Sequence, residues 1–292
     1  MVGNLLLSSI AVYGALFGLN YALISLGFTL VFGVSRVLNL AYGALYMVTA
    51  YMVYLFAVEW RWEILLAALL AIGISVLVGA AVFLLFSRYA PDPMRFLLGT
   101  LLTALLLQYL FSYFFQGEVG LVIPGLAPTQ SVLVLGVSVS PVFLLSALVS
   151  LALLALLWAW IEWRPYGRVI RAAAEDPETA SLFGIHPARV YLVVVLVSSA
   201  IIGVAAVLLV PAGVVTPTMW VEPFVIAFVV AVVGGLGKYQ WTLPAAFLIS
   251  FSQMAVLYLT PYDISDIVAF VVAIAFIVLR PQGMGGGNHR GL

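Results

Sequence analysis

The chain has 292 residues, 65% hydrophobic and only 8% charged, with a mean hydropathy of +1.25, far from the roughly 25% charged residues of soluble domains. Its 11 basic and 11 acidic residues cancel, which removes the electrostatic footprint of a nucleic-acid binder. Zero cysteines exclude disulfides, Cys-ligated zinc and a thiol nucleophile. What is left is a membrane chain whose few polar residues must be read one at a time.

A bilayer core of about 30 Å takes about 20 apolar residues as helix, because backbone groups must be satisfied within the span. Uncharged runs long enough to cross once are Met1–Ser35, Val37–Val58, Ile64–Ser87, Phe96–Gly117, Pro141–Ile161, Val190–Val221 and Tyr239–Tyr262. Two shorter ones follow the sixth and seventh, Pro223–Gly237 and Ile267–Leu279. The runs lack the period of two of a barrel. The fold is therefore predicted as all-α and polytopic, with about nine transmembrane helices, within a range of eight to ten. The first run has no basic n-region and is too long for a signal-peptide core; it reads as an uncleaved span, of one helix or two. Residues 1–282 form a single transmembrane domain. Gln116–Ser140, rich in Gly and Pro, reads as a folded-back excursion. Glu162–Arg189 is the one substantial polar loop, and 283–292 a disordered cytoplasmic tail.

Assigning loops alternately to two sides puts Arg36, Arg88, Arg95, Arg164, Arg168, Arg171, Arg189, Lys238, Arg280 and Arg290 on one and Arg61 on the other. Cytoplasmic loops collect positive charge, so the N-terminus is expected outside and the C-terminus inside. Glu59, Glu63, Glu118, Glu222, Asp263 and Asp266 mark the outer side.

Much chemistry is missing. His186 and His289 lie in a loop and a tail without ligand partners, so no catalytic residues and no metal site are expected. Gly234-Gly235-Leu236-Gly237-Lys238 glances at a phosphate loop, but residue 232 is Val and Tyr239 follows the lysine where Ser or Thr would hold magnesium. None of the 11 carboxylates falls mid-span in this topology, which argues against a proton relay. The chain reads as a pore or permease energised by something else.

The polar loop is legible from capping rules. Asp176 is an N-cap, Pro177 occupies N1, Glu178 sits in the first turn and Gly184 closes the helix at C′. About seven helical residues then expose Leu182 and Phe183. The segment either lies on the bilayer or docks into a groove on a cytoplasmic partner.

Here the sequence resembles a family. Ala173-Ala174-Glu175 through Gly184-Ile185 is similar to the coupling-helix loop of bacterial ABC importer permeases. Leu38–Tyr51 and Val232–Gly237 resemble two segments of the branched-chain amino-acid permeases, with Tyr42 where that family commonly carries His. The resemblance implies the first of two homologous permease subunits in a bacterial or archaeal inner membrane. Its implied partners are the second permease, two cytoplasmic ATPase subunits and an extracytoplasmic binding protein. ATP and magnesium would sit on the ATPase subunits, with no cofactor on this chain. Glu175, Asp176, Pro177, Glu178, Leu182, Phe183 and Gly184 would couple to the ATPase. The implied substrate is a branched-chain or other small apolar amino acid. Urea or a short amide is the alternative, and a stand-alone carrier or channel the rival.

Transporter sites form where helices break near the midplane. Two such breaks are Gly33–Tyr46 and Val225–Gly237. On a helix Asn39, Gly43 and Tyr46 would share a face, so Asn39, Tyr42, Gly43, Tyr46, Gly234 and Gly235 are candidates for the translocation path. The competing reading is close helix packing. Arg36 reads as a snorkelling anchor. Asp263 reads as the N-cap of the last span with Asp266 in its first turn, or the pair contacts substrate or binding protein.

Overall fold

The computed structural model describes residues 2–87, 92–115, 120–123, 131–260, 265–280 and 283–285. Its helices are α1 (Val2–Ser35), α2 (Ala41–Tyr54, continued by a π turn to Glu59), α3 (Ile64–Phe86), α4 (Pro93–Phe114), α5 (Pro141–Trp163), α6 (Pro165–Glu175), α7 (Pro177–Leu182), α8 (Pro187–Leu209), α9 (Val221–Gly234), α10 (Thr242–Leu259) and α11 (Ser265–Leu279). Seven are long and apolar enough to cross a membrane, and Val221–Gly234 and Ile267–Leu279 are shorter apolar helices.

The first run is one helix, not two. At 34 residues it is about 51 Å long, and it forms the axis of the molecule, packed against α5, α8, α9 and α10. Helices in an apolar solvent gain little from burying more apolar surface, so small residues and polar contacts hold them together. α1 follows that rule. The Asn20 amide donates to Ser146 Oγ at 3.2 Å and accepts from Ser150 Oγ at 3.0 Å, tying α1 to α5. Ser198 of α8 donates to the Gly27 carbonyl at 2.9 Å and Ser250 of α10 to the Gly14 carbonyl at 2.8 Å.

Three departures from the sequence reading have local causes. The second span starts at Ala41, not Val37, because Arg36 has a left-handed φ of 53° that ends α1. The run Val190–Val221 is not one helix: α8 stops at Leu209, a 3-10 turn covers Val210–Ala212, and the chain passes irregularly through Gly213 and Pro217 before α9. In that irregular stretch Val215 exchanges two backbone hydrogen bonds with Leu121. The outer excursion contains a hairpin, β1 (Val132–Val134) and β2 (Val137–Val139), that an all-α reading lacks. Leu135 and Gly136 both take positive φ, as tight hairpins require. The buried Val137 and Val139 cover Val12 and Leu16 of α1.

Candidate functional site

The polar segment after α5 folds as two helices. Sequence reasoning picked out only the second, although Pro165 at N1 and the spacing of Gly167, Ile170 and Ala173 also mark the first. Ile170 and Ala173 are buried with Ile161, Val190 and Val194. At the corner between α5 and α6, Gly167 lies so close to the Ile161 carbonyl that a Cβ would overlap it.

α7 has the predicted caps. Asp176 Oδ1 accepts from the backbone N–H groups of Glu178 at 3.0 Å and Thr179 at 3.1 Å. The Thr179 hydroxyl donates to the other carboxylate oxygen and is the largest cause holding this carboxyl below the usual aspartate range, with the backbone donors adding. At the far end Gly184 has φ of 80°; its N–H reaches the Ser181 carbonyl and that of Ile185 the Ala180 carbonyl, a Schellman closure. Six residues are helical, with Pro177 at N1 and Glu178 in the first turn. Leu182 and Phe183 are 85% and 81% exposed at the tip.

Side chains distant in sequence clamp this unit to the bundle. Arg36 donates to the Ala174 carbonyl at 3.0 Å and the Glu175 carbonyl at 3.2 Å, placing a cation at the negative end of α6. It thus has a defined partner, beyond the anchoring read from sequence. Arg171 of α6 donates to Glu162 at the end of α5 at 2.5 Å, to the Ile161 carbonyl at 3.1 Å and to the Tyr239 hydroxyl at 3.1 Å. The Tyr239 hydroxyl donates to the same Glu162 oxygen at 3.0 Å. The Tyr239 contact, then Glu162, raises the guanidinium above its already high ordinary value.

Gly234 and Gly235 lie at this same end. A side chain on Gly234 would meet the Trp241 carbonyl at 3.0 Å, and Gly235 has φ of 102°. The following Gly237 presses its backbone on Gly33 of α1. The expected disordered tail begins bound, not free: Met284 N–H donates to the Val233 carbonyl at 2.8 Å, Gly285 N–H to that of Gly234 at 3.1 Å, and Lys238 Nζ to that of Gly285 at 2.8 Å. Residues 286–292 lie outside the described residues.

The candidate path residues separate into different surroundings. Asn39 precedes α2, so the shared helical face with Gly43 and Tyr46 does not form. Its Oδ1 is buried without a hydrogen-bond partner, and the residue lines a cavity of about 10 Å³ with Tyr42, Ser198 and Ser199. Tyr42 donates to the Ile24 carbonyl at 2.7 Å. Gly43 is a packing position: a Cβ there would lie 2.5 Å from the Trp220 carbonyl and 2.7 Å from Phe224 of α9. Tyr46 lines a cavity of about 320 Å³ with Tyr21, Ile24, Glu222 and Ile226. A second, of about 440 Å³, shares Val214, Met219, Glu222 and Ile226 with it and adds Thr216, Thr218 and Gln253.

Glu222, read from sequence only as an outer-side charge, and Gln253 were not among the path candidates. The available signals were a carboxylate beside Pro223 in a segment too short to span and an amide inside an apolar run. Asp263 lies outside the described residues, and Asp266 falls in the first turn of α11. Among the described residues no group of three or more His, Asp or Glu side chains could hold a metal.

Comparison with known proteins gives the following. The family profile described as branched-chain amino acid transport system / permease component matches residues 10–277. The chain is 30% identical to the high-affinity branched-chain amino acid transport system permease protein BraD of Pseudomonas aeruginosa, over 94% of each chain. It is 27% identical to the LivH permease protein of Escherichia coli K12 and 26% to that of Salmonella typhimurium, in each case over 94% of this chain and 93% of the relative. No solved structure matches the chain.

Proposed function

The chain belongs to the branched-chain amino acid transport system permease family, and from that premise we propose that it is the inner-membrane permease subunit of an ABC importer for small apolar amino acids. Nine spans cross the membrane, the two short apolar helices included, with the N-terminus outside and the C-terminus inside. A second, homologous permease, two cytoplasmic ATPase subunits and an extracytoplasmic binding protein complete the machine. ATP and magnesium are held by the ATPase subunits, and Tyr46 faces the path of the substrate.

The observation that carries this reading is α7. A six-residue helix is too short to persist on intrinsic propensity, yet this one is capped at both ends and presents Leu182 and Phe183 outward. Burying each in a partner's groove would contribute about 1.5–3 kcal/mol, enough to seat the tip. Displacement of a seated tip passes directly to α6, and through Arg36 and Arg171 to α1, the end of α5 and the Tyr239 turn. In this reading hydrolysis belongs to the ATPase subunits, and the chain supplies a lever and a membrane path.

Reconstitution tests the reading. The chain in liposomes by itself is expected to move no leucine, whereas the complex that co-purifies with it should contain two nucleotide-binding subunits and a homologous permease and take up leucine only with ATP. Leucine uptake by the isolated chain would make it a stand-alone carrier instead.

A further inference from the structure

The two adjoining cavities at the end of α9 remote from α7 have a composition that suits a particular ligand. Their described walls are apolar apart from tyrosine and threonine hydroxyls, one amide and one carboxylate, that of Glu222. α9 has 14 residues and is about 21 Å long, short of the roughly 30 Å core. Glu222 stands in its first turn, 12 residues and about 18 Å of helix from Gly234, on the outer side of the proposed topology. Its carboxylate lines both cavities. Gln253 supplies the second observation. It is 3% exposed, its Oε1 has no hydrogen-bond partner, and it lines the same cavity as Glu222. A buried amide oxygen left unpaired costs about 1–3 kcal/mol, so the site is incomplete without a donor.

The geometry points to a substrate site in which Glu222 and the Gln253 Oε1 receive the α-ammonium of an apolar amino acid while Ile24, Phe143 and Ile226 surround its side chain. An ammonium is a donor with no acceptor, which matches a wall that offers a carboxylate and an amide oxygen. The 320 Å³ lobe lies at the small end of ligand pockets, with room for the aliphatic side chain of a small amino acid. This inference rests on the transport reading above and names the chemistry by which the chain would hold its cargo.

Because the chain has no native cysteine, Thr218→Cys places a single thiol in the cavity wall. In the assembled complex, leucine is expected to slow maleimide alkylation of that thiol, whereas 4-methylpentanoate, the same side chain without the ammonium, should not. Adding Glu222→Gln should raise the leucine concentration needed for protection by about tenfold or more, and adding Glu222→Asp, which keeps the charge, should largely preserve it. Protection by 4-methylpentanoate equal to that by leucine, or undiminished protection with Glu222→Gln, would overturn the ammonium site. ATP-dependent leucine uptake by the wild-type complex is measured alongside: no uptake refutes the transport reading, whereas uptake without leucine protection of the thiol refutes this site alone.

Discussion

The α6–α7 end and the Glu222 end are built on opposite principles. At the first, Arg36, Arg171, Asp176 and Lys238 all have defined partners, and backbones touch at Gly167 with Ile161 and at Gly33 with Gly237. At the second, the α8–α9 connection is irregular, two cavities adjoin, and a buried amide oxygen is unpaired. Close packing transmits displacement, and unfilled polar space accepts a ligand. Both ends belong to one short helix, α9, whose C-terminal carbonyls are strapped by residues 284–285 and whose first turn carries Glu222. In the proposed coupling role of α7, α9 would be the element that joins the packed end to the cavity wall.

The contrast can be broken most severely at Gly167. Gly167→Val must push the Ile161 carbonyl aside, so the corner between α5 and α6 should not close. A loss of about 3 kcal/mol or more is expected, read as a collapse in thermal stability of the purified chain; a wild-type Tm would show that this end is not tightly built. Arg171→Met should have a smaller effect. It leaves Glu162 with the Tyr239 hydroxyl as its hydrogen-bond partner, and with Arg171 and Glu162 about one-third exposed the cost, reduced by solvent screening, is about 1–2 kcal/mol. Tyr239→Phe, which removes one hydroxyl, should cost about 1 kcal/mol. Denaturant titration ranks the two, and the reverse order would remove Arg171 from the centre of the clamp.

The smallest effect concerns pH. The folded-state pKa of Asp176 is depressed, so its cap is fully present above the ordinary aspartate pKa and is lost only as pH falls through the lower folded value. Amide exchange at Glu178 and Thr179, corrected for intrinsic rates, should show constant protection around neutrality and lose it only in strong acid. Loss of protection at mildly acidic pH would mean that Asp176 is not the cap.

How far the sequence foretold this molecule depends on the range of each interaction. Among the described residues, apolar runs located eight of the nine apolar helices to within a few residues, because a helix in an apolar solvent needs an unbroken apolar stretch. The exception, Val190–Val221, ran past the real end of α8 because hydropathy does not register the breaks at Pro211 and Gly213. The caps of α7 were legible since they act within ten residues. Arg36 on α6, 138 residues away, and Arg171 on Tyr239, 68 residues away, were not, because nothing local encodes which helix end a cation will meet. The translocation candidates show the same limit. Asn39, Gly43 and Tyr46 looked equivalent in a periodic reading, but the left-handed Arg36 moved the start of α2 and gave each a different neighbour.

The most direct measurement of coupling through α7 is the ATPase rate of the reconstituted complex with and without substrate-loaded binding protein, in wild type and Phe183→Asp. The substitution alters a side chain exposed at the tip of α7, so the chain should insert and fold normally. Stimulation by loaded binding protein is expected to fall at least about tenfold, matching loss of roughly 1.4 kcal/mol or more of docking energy. Stimulation at the wild-type level would contradict transmission through the Leu182–Phe183 tip.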